Sequence, residues 1–539
     1  MLRRLMAASR YLTTRSIRLS SLPLGPALLG AIGCIFFFVM TLGPRPYYWP
    51  NTKSISYGNS PPIATRSGWM SIACLPFVFA TSTKVNFVTM LTGISYGKVQ
   101  VFHRWISFAM YVLALVHTFP FIVFHVWKGD MMLQWSTSVV YWTGVVAILA
   151  QTWLTFASLS PLRALSYEFF KISHVIAAIV FAVFFFIHCD FRLTSWDYFI
   201  ASGAIYMSCY LYSFVRTAMR TGRATLSMAT PGIVSVQVPS NTKWEPGQYC
   251  FVRFFGMGKH AFSSHPFTIC SLDSRQSGES ADLLFYIHAR GGFTEQLARY
   301  IVARQSCTIR ISLRGPFGGI DTSQFNRSSK LLIIAGGSGA GWTLPLIECF
   351  LRRHVSSKST LRQEPQSIVD TENLSRAMST CLVVLATRND SLHKWYQATV
   401  NDLVSRFDTE ATASLAIQLH YTGGVGLVEK LQPQTLLEYR TSELNGKSNF
   451  STDAVSDARS SDKSARQLNM TLETGRPDLP RLIADQAKSA TAGETMGVYA
   501  CGPAELQNDI RNAVVREQMK ILRGSPHEVF LHTEHFEWA

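Results

Sequence analysis

Before about position 215 the chain carries six apolar runs, near 24–43, 68–82, 101–125, 139–158, 170–189 and 196–214. Each approaches the length of about 20 residues that a helix needs to cross a hydrocarbon layer. The second, WMSIACLPFVFA, is the weakest, being short and followed by Lys84. After about position 222 the texture changes to short β-type runs separated by turn residues, as in a soluble α/β protein. With 47% apolar and only 16% charged residues, the chain is too apolar for an ordinary soluble enzyme. Its 539 residues leave room for three or four domains.

The net charge of +16 raises a nucleic-acid partner as a possibility. The basic residues form no stripe interleaved with aromatics, so that class is excluded in favour of a lipid bilayer with basic cytoplasmic flanks. Arg3, Arg4, Arg10, Arg15 and Arg18 precede the first run, and Arg216, Arg220 and Arg223 follow the last. The opposite loops hold only Arg45, Lys53, Arg66, Lys128 and Arg192, so both ends are expected in the cytoplasm. A mitochondrial presequence is the rival account of the acid-free N-terminus. The ten cysteines contain no CxxC pair, which indicates neither a disulfide framework nor a structural metal site.

Two of the runs share a pattern. HRWISFAMYVLALVH spans His103 to His117 and HVIAAIVFAVFFFIH spans His174 to His188, with thirteen residues inside each pair. Fourteen steps of about 100° fall about 40° short of four turns, so each pair shares a helix face, its rings about 21 Å apart along the axis. One intramembrane histidine often just bonds a neighbouring helix. Two helices with the same spacing place His103 opposite His174 and His117 opposite His188, and each cross-pair can clamp one haem iron. Two stacked haems form an electron relay across the membrane. His125 lies beyond the outer end of its helix and reads as interfacial.

The run SLSPLRALSYEFFKISH, with Arg163, Tyr167, Glu168, Phe170 and His174, resembles the entrance to the second haem helix of the ferric reductase-like transmembrane domain. In the soluble half, EPGQYCFVRF, HPFTICS, RGGFTEQL and RGPFGG occur in the order found in ferredoxin reductase-like flavin barrels. That resemblance implies FAD against His265, Pro266, Phe267 and Thr268, with its pyrophosphate at Gly292, Phe293 and Thr294, where a helix opens with free N–H groups. The strand in KLLIIAGGSGAGWTLPL runs into Gly336, Gly337, Ser338 and Gly339 and then a helix, a dinucleotide-binding pattern. CLVVLATR ends at Arg388, a candidate for the 2′-phosphate of NADPH, or else a plain surface charge. SLAIQLHYTGG forms a third strand. GVYACGPAELQ places Cys501, Gly502 and Pro503 at a turn that lies against the nicotinamide in the superfamily. Stretches near 354–378 and 441–470 are polar and core-free and read as disordered insertions.

The order of parts resembles the ferric reductase/NADPH oxidase superfamily. AGGSGAGWTLPL, GRPDLP and the terminal HFEW are most similar to fungal ferric-chelate reductases. The expected fold is a multi-domain membrane protein. A basic cytoplasmic tail (1–23) precedes a six-helix transmembrane haem-binding bundle (24–215). A β-barrel FAD-binding domain (216–322) and an α/β NAD(P)-binding domain (323–539) follow. The resemblance implies transfer from NADPH to FAD, through two b-type haems, to ferric or cupric chelates on the far face. A permease or multicopper oxidase acting downstream is the expected partner, and the plasma membrane the expected site, with vacuolar or other endomembranes as alternatives. An NADPH oxidase reducing dioxygen, or a haem subunit with a decayed nucleotide domain, are the alternatives in function. Intact glycines at 336, 337 and 339 speak against decay. The superfamily also stacks a C-terminal aromatic over the flavin, here Phe536 or Trp538, as a gate to hydride transfer.

Overall fold

The computed structural model describes residues 2–15, 23–48, 60–92, 94, 96–218, 221–273, 281–304, 306–363, 379–423, 469–490, 494–525 and 527–534. The chain divides into two compact units, one of residues 25–219 and one of 1–24 with 220–539.

Helix α1 (Leu2–Thr14) belongs to the second unit. The first unit consists of α2 (Leu24–Leu42), α3 (Pro62–Ser82), α4 (Phe87–Thr92), α5 (Tyr96–Lys128), α6 (Met131–Thr137), α7 (Val139–Phe156), α8 (Ser160–Leu165), α9 (Tyr167–Cys189) and α10 (Ser195–Ala218). Six of these, α2, α3, α5, α7, α9 and α10, are long and apolar enough to cross a membrane. The second run, weakest in sequence, is a full helix because the small residues before Gly68 extend it to Pro62, whose fixed φ suits a first turn. Ser166 caps α9, its hydroxyl accepting from the Phe169 N–H, and Asp190 closes that helix in the left-handed region at φ 48°. α3 packs on α5, and α7 on α9. Cys74, Leu75, Met110, Leu113, Ala147 and Phe181 form a small common core, while Phe36, Leu149, Ile176 and Ile179 stay exposed. Apolar side chains facing outward from a thin core suit a lipid solvent, not water.

The second unit holds two sheets. The first is antiparallel, in the order β4 (His265–Thr268), β3 (Gln248–Phe254), β6 (Ser306–Gly318), β1 (Thr221–Thr230), β2 (Ile233–Pro239), β5 (Asp282–His288). Helix α11 (Gly292–Val302) buries Phe293, Leu297, Ala298 and Ile301 in its core. A barrel was expected here. Among the described residues no ladder joins the edge strands β4 and β5, and one backbone bond, Cys270 N–H to Leu284 O at 2.7 Å, lies where closure would occur. The sheet is therefore open.

The second sheet is parallel, in the order β10 (Asn469–Thr474), β9 (Leu415–Tyr421), β8 (Thr380–Thr387), β7 (Lys330–Gly336), β11 (Thr495–Cys501), β12 (Glu528–Glu534). After Lys330 the strand, LLIIAG, is apolar throughout because both faces are covered. Leu331, Ile333 and Ala335 face the core shared with α13 (Ala340–Gln363) and α14 (Asp390–Ser405), after the short α12 (Thr322–Arg327). Leu332 and Ile334 face the core built with α16 (Leu479–Lys488) and α17 (Ala504–Leu522), which follow the one-turn α15 (Thr409–Thr412). β7 is the first strand of this sheet. Chain order runs outward from it through β8 to β10, then returns to its other side with β11, so the strand order reverses between β7 and β11. In open α/β sheets the crevice at such a reversal is the ligand site.

Three differences from the sequence reading have physical causes. Residues 1–23 are not a plain basic tail. In α1, Ala7 is buried among α17 residues, and the Arg10 guanidinium donates to Val529 O at 3.1 Å beside the Phe530 ring. The arginines dominated the charge pattern and hid the apolar face. The first insertion begins later than expected, since α13 continues to Gln363 and His354 is buried; 364–378 lie outside the described residues. The second overlaps β10, which starts at Asn469 and pairs in register with β9; 424–468 lie outside the described residues.

Candidate functional site

In the membrane unit the four histidines sit on α5 (His103, His117) and α9 (His174, His188). Each has its Nδ1 occupied by a neighbouring segment, a helix for three of them and the turn after α7 for His174. His103 Nδ1 lies 3.1 Å from Val78 O and 3.2 Å from Thr81 Oγ1. His117 Nδ1 lies 2.8 Å from Ala64 O, and His188 Nδ1 2.7 Å from Val140 O. His174 Nδ1 lies 3.3 Å from Ser158 Oγ, whose own proton goes to Leu154 O at 2.6 Å. A carbonyl only accepts, so Nδ1 carries the proton and donates. Ser158, its proton already committed, likewise accepts. Nε2 is left in every case with its lone pair, the state an iron ligand requires.

The rings of His117 and His188 come together, centroids 5.8 Å apart and planes at 88°. Two imidazoles on opposite sides of one metal, with bonds of about 2 Å each, place their centroids about 6 Å apart. His174 lies within electrostatic reach of His103. The donor set and its tautomers fit two haem irons. The Phe170 ring packs 5.2 Å from that of His174. His125, read as interfacial, is buried, with Nδ1 2.7 Å from Asp130 Oδ1 and its ring against Tyr141. That bond holds the Asp130 carboxyl below its ordinary range.

In the antiparallel sheet, β4 carries His265, Pro266, Phe267 and Thr268, with Thr268 opposite Tyr249 of β3. The His265 ring stacks on Phe293 at 4.3 Å, so the HPFT strand and the GGFT helix meet. Gly291 opens α11 without a side-chain cap, Gly292 has φ +53°, and a Cβ on either would meet nothing within 4 Å. The first turn thus offers uncovered N–H groups to a pyrophosphate, which fits FAD. Thr294 has a more local duty: its hydroxyl donates to Gly291 O and accepts from the Arg290 N–H.

At the reversal between β7 and β11, the glycines serve close packing of two loops. A Cβ on Gly336 would lie 2.9 Å from Pro503 Cδ, and one on Gly339 2.9 Å from Cys501 O. A Cβ on Gly502 would reach within 3.1 Å of the Gly336 nitrogen. Gly336, Gly337, Ser338 and Gly339 are therefore brought against Cys501, Gly502 and Pro503, as two distant motifs of the sequence converge. Cys501 is buried, and burial, with Glu534 beside it, raises its thiol pKa well above the ordinary value. It is a neutral surface, not a nucleophile. Arg388 is exposed at the carboxyl end of β8, near the same edge.

Sequence reasoning missed a bridge between the two sheets. Arg290 Nε donates to His288 Nδ1 at 3.2 Å, Asn389 Nδ2 lies 3.2 Å from His288 Nε2, and Arg290 Nη2 lies 3.4 Å from where a Gly337 Cβ would stand. Arg290 preceding the GGFT segment was the available signal. Glu534 was also missed. It ends β12 opposite Cys501, its backbone O accepts from Gln507 Nε2 at 2.7 Å, and its Oε1 lies 3.9 Å from a Gly318 Cβ position in the antiparallel sheet. Phe536 and Trp538 lie outside the described residues.

Three family models match the chain in order. They are the ferric reductase like transmembrane component over 67–185, the FAD-binding domain over 218–321 and the ferric reductase NAD binding domain over 328–515. The probable cell surface ferric reductase kap2 of Aspergillus oryzae is 33% identical over 350 residues, 60% of this chain and 45% of the relative. Ferric/cupric reductase transmembrane component 7 of Saccharomyces cerevisiae is 30% identical over 317 residues, 57% of this chain and 49% of the relative. Ferric/cupric reductase transmembrane component 1 of Candida albicans is 23% identical over 503 residues, 90% of this chain and 58% of the relative. The chain spans about half the length of the curated relatives it matches. The chain is similar to these fungal ferric reductases, and along it lie, in order, segments that match a ferric reductase like transmembrane component, an FAD-binding domain and a ferric reductase NAD binding domain.

Proposed function

We propose that the chain is a transmembrane metalloreductase. It passes electrons from cytosolic NADPH, through FAD and two bis-histidine haems, to ferric or cupric chelates on the opposite face. The observation that supports this reading is the state of the four histidines: every Nδ1 is engaged by a neighbouring helix or turn, which leaves four Nε2 lone pairs available to an iron. When bound, FAD supplies the conversion of a hydride into single electrons, and haem iron supplies one-electron relay.

The chain's own residues define the rest. His103 with His174, and His117 with His188, would each hold one haem iron, so an acceptor would be reduced without binding the metal. His265–Thr268 and Gly292–Thr294 hold the flavin, and the bare first turn of α11 takes its pyrophosphate. The Gly336–Gly339 turn receives the nucleotide's phosphates at the strand-order reversal, with Arg388 toward a 2′-phosphate. Cys501, Gly502 and Pro503 line the nicotinamide side. Phe536 or Trp538 serves as the gate to hydride transfer. The arginine distribution supports a cytoplasmic nucleotide side. A role in iron or copper uptake at the plasma membrane, beside a permease or multicopper oxidase, completes the proposal.

The test is NADPH oxidation by the purified full chain. Ferric-chelate reduction should proceed without oxygen, and superoxide dismutase should leave its aerobic rate unchanged. Stoichiometric superoxide release with no anaerobic metal reduction would make dioxygen the acceptor instead.

A further inference from the structure

The two helices that flank the haem helices solve one steric problem in the same way. His117 donates to the carbonyl of Ala64, and Gly68 stands four residues later on α3; His188 donates to the carbonyl of Val140, and Gly144 stands four residues later on α7. In an α-helix the carbonyl of one residue lies beside the side-chain position of the residue four later. A Cβ on Gly68 would lie 2.5 Å from His117 Nδ1 and 2.9 Å from Cε1. A Cβ on Gly144 would lie 2.6 Å from His188 Nδ1 and 2.7 Å from Cε1. Such approaches are far inside the contact optimum of about 3.5–4.0 Å. At these two carbonyls the imidazole occupies the space that a side chain four residues later would fill. The other pair is built differently: His103 Nδ1 reaches the Val78 carbonyl and the Thr81 hydroxyl together, with Ser82 and not a glycine four residues after Val78, and His174 Nδ1 meets the Ser158 hydroxyl.

We infer that Gly68 and Gly144 are positioning residues for His117 and His188. Each admits its imidazole to a backbone carbonyl and thereby fixes the ring plane and the direction of Nε2. This rests on the reading of His117 and His188 as one haem's ligands. A ligand's orientation and the basicity set by its second nitrogen tune the metal, so the outer site depends on two residues that are not themselves ligands. Interior alanine is intrinsically the better helix former than glycine. If the glycines merely occupied helix positions, alanine there would be harmless or favourable.

The experiment compares purified full chains carrying Gly68→Ala, Gly144→Ala, Gly33→Ala, Gly203→Ala and His117→Ala. Haem is quantified per chain, and the ferric low-spin signals are read by electron paramagnetic resonance. Gly33 on α2 and Gly203 on α10 are controls, because a Cβ there meets nothing within 4 Å. Gly68→Ala and Gly144→Ala should each shift or remove one low-spin signal and leave the other in place, with haem between the wild-type content and half of it. The controls should match wild type. Wild-type signals in both glycine variants, with one signal lost in His117→Ala, would overturn the positioning role while keeping the ligand assignment. Full haem and both signals in His117→Ala would overturn the ligand assignment itself. Loss of both signals at once in both glycine variants marks a collapsed bundle instead of a tilted ring, and also counts against the inference.

Discussion

A histidine's neighbour on Nδ1 decides what its Nε2 can do, and that neighbour is invisible in sequence. The spacing of His103 with His117 and of His174 with His188 put each pair on one helix face. It could not reveal that Ala64, Val78, Val140 and Ser158 supply the acceptors, because three of the four act through backbone oxygen. Gly68 and Gly144 were opaque for the same reason: a glycine inside a helix carries no chemical signal until its neighbour is known. The glycines at 336–339 were legible as a phosphate turn, but their packing against Cys501–Pro503 needed the sheet order. Arg388 is where sequence and structure agree on position without fixing the partner. A charge-assisted contact to phosphate is worth about 1.5–3 kcal/mol. Arg388 is exposed, so the low end applies, about a tenfold effect. Arg388→Ala is expected to raise KM for NADPH about tenfold and leave KM for NADH unchanged; equal effects on both nucleotides would make it a plain surface charge.

Elements with an apolar run and a sharp end were legible. β7, β8, β9 and β11 read directly from KLLIIAG, TCLVVLAT, LAIQLHY and GVYAC, since two covered faces leave these runs mostly apolar. β10 and β12 were not. NMTLET and EVFLHTE are edge strands with half-exposed faces, and composition alone resembles loop. α1 was masked by its arginines. In the antiparallel sheet the motifs were found, yet closure could not be judged from sequence: among the described residues no ladder pairs β4 with β5, and the backbone bond where closure would occur, Cys270 N–H to Leu284 O, lies beyond the end of β4. The His265–Phe293 stack ties β4 to α11, so these elements should respond together to loss of flavin contacts. Thr268→Ala is expected to lower FAD occupancy after gel filtration while the haem spectrum stays normal. Thr294→Val should do the same through a loosened Arg290–Gly291 turn. Unchanged FAD in the double variant would remove both segments from the flavin site.

For the whole molecule, the two units answer to different solvents. The membrane unit exposes its apolar side chains, and the soluble unit buries ionisable ones. His288, His393, His420 and His527 all have their pKa lowered, with burial the leading cause; Glu473 and Glu517 oppose it weakly at His420 and His527. Above the ordinary histidine value of about 6.5 these rings are neutral folded and unfolded alike. Below it the unfolded chain binds protons first, so stability should fall as pH drops from about 6.5 toward 5. Melting of the soluble unit, followed by tryptophan fluorescence in the full chain, should show a falling Tm across that window; a rising Tm would contradict the burial of these rings. The proposed haem relay is the part of the account that links the nucleotide side to the far face. Its most direct test is haem counted per chain in wild type, His103→Ala and His188→Ala. The expected result is two low-spin haems in wild type and about half that content or less in each variant, with FAD retained. Full haem in both variants would contradict the account at its centre.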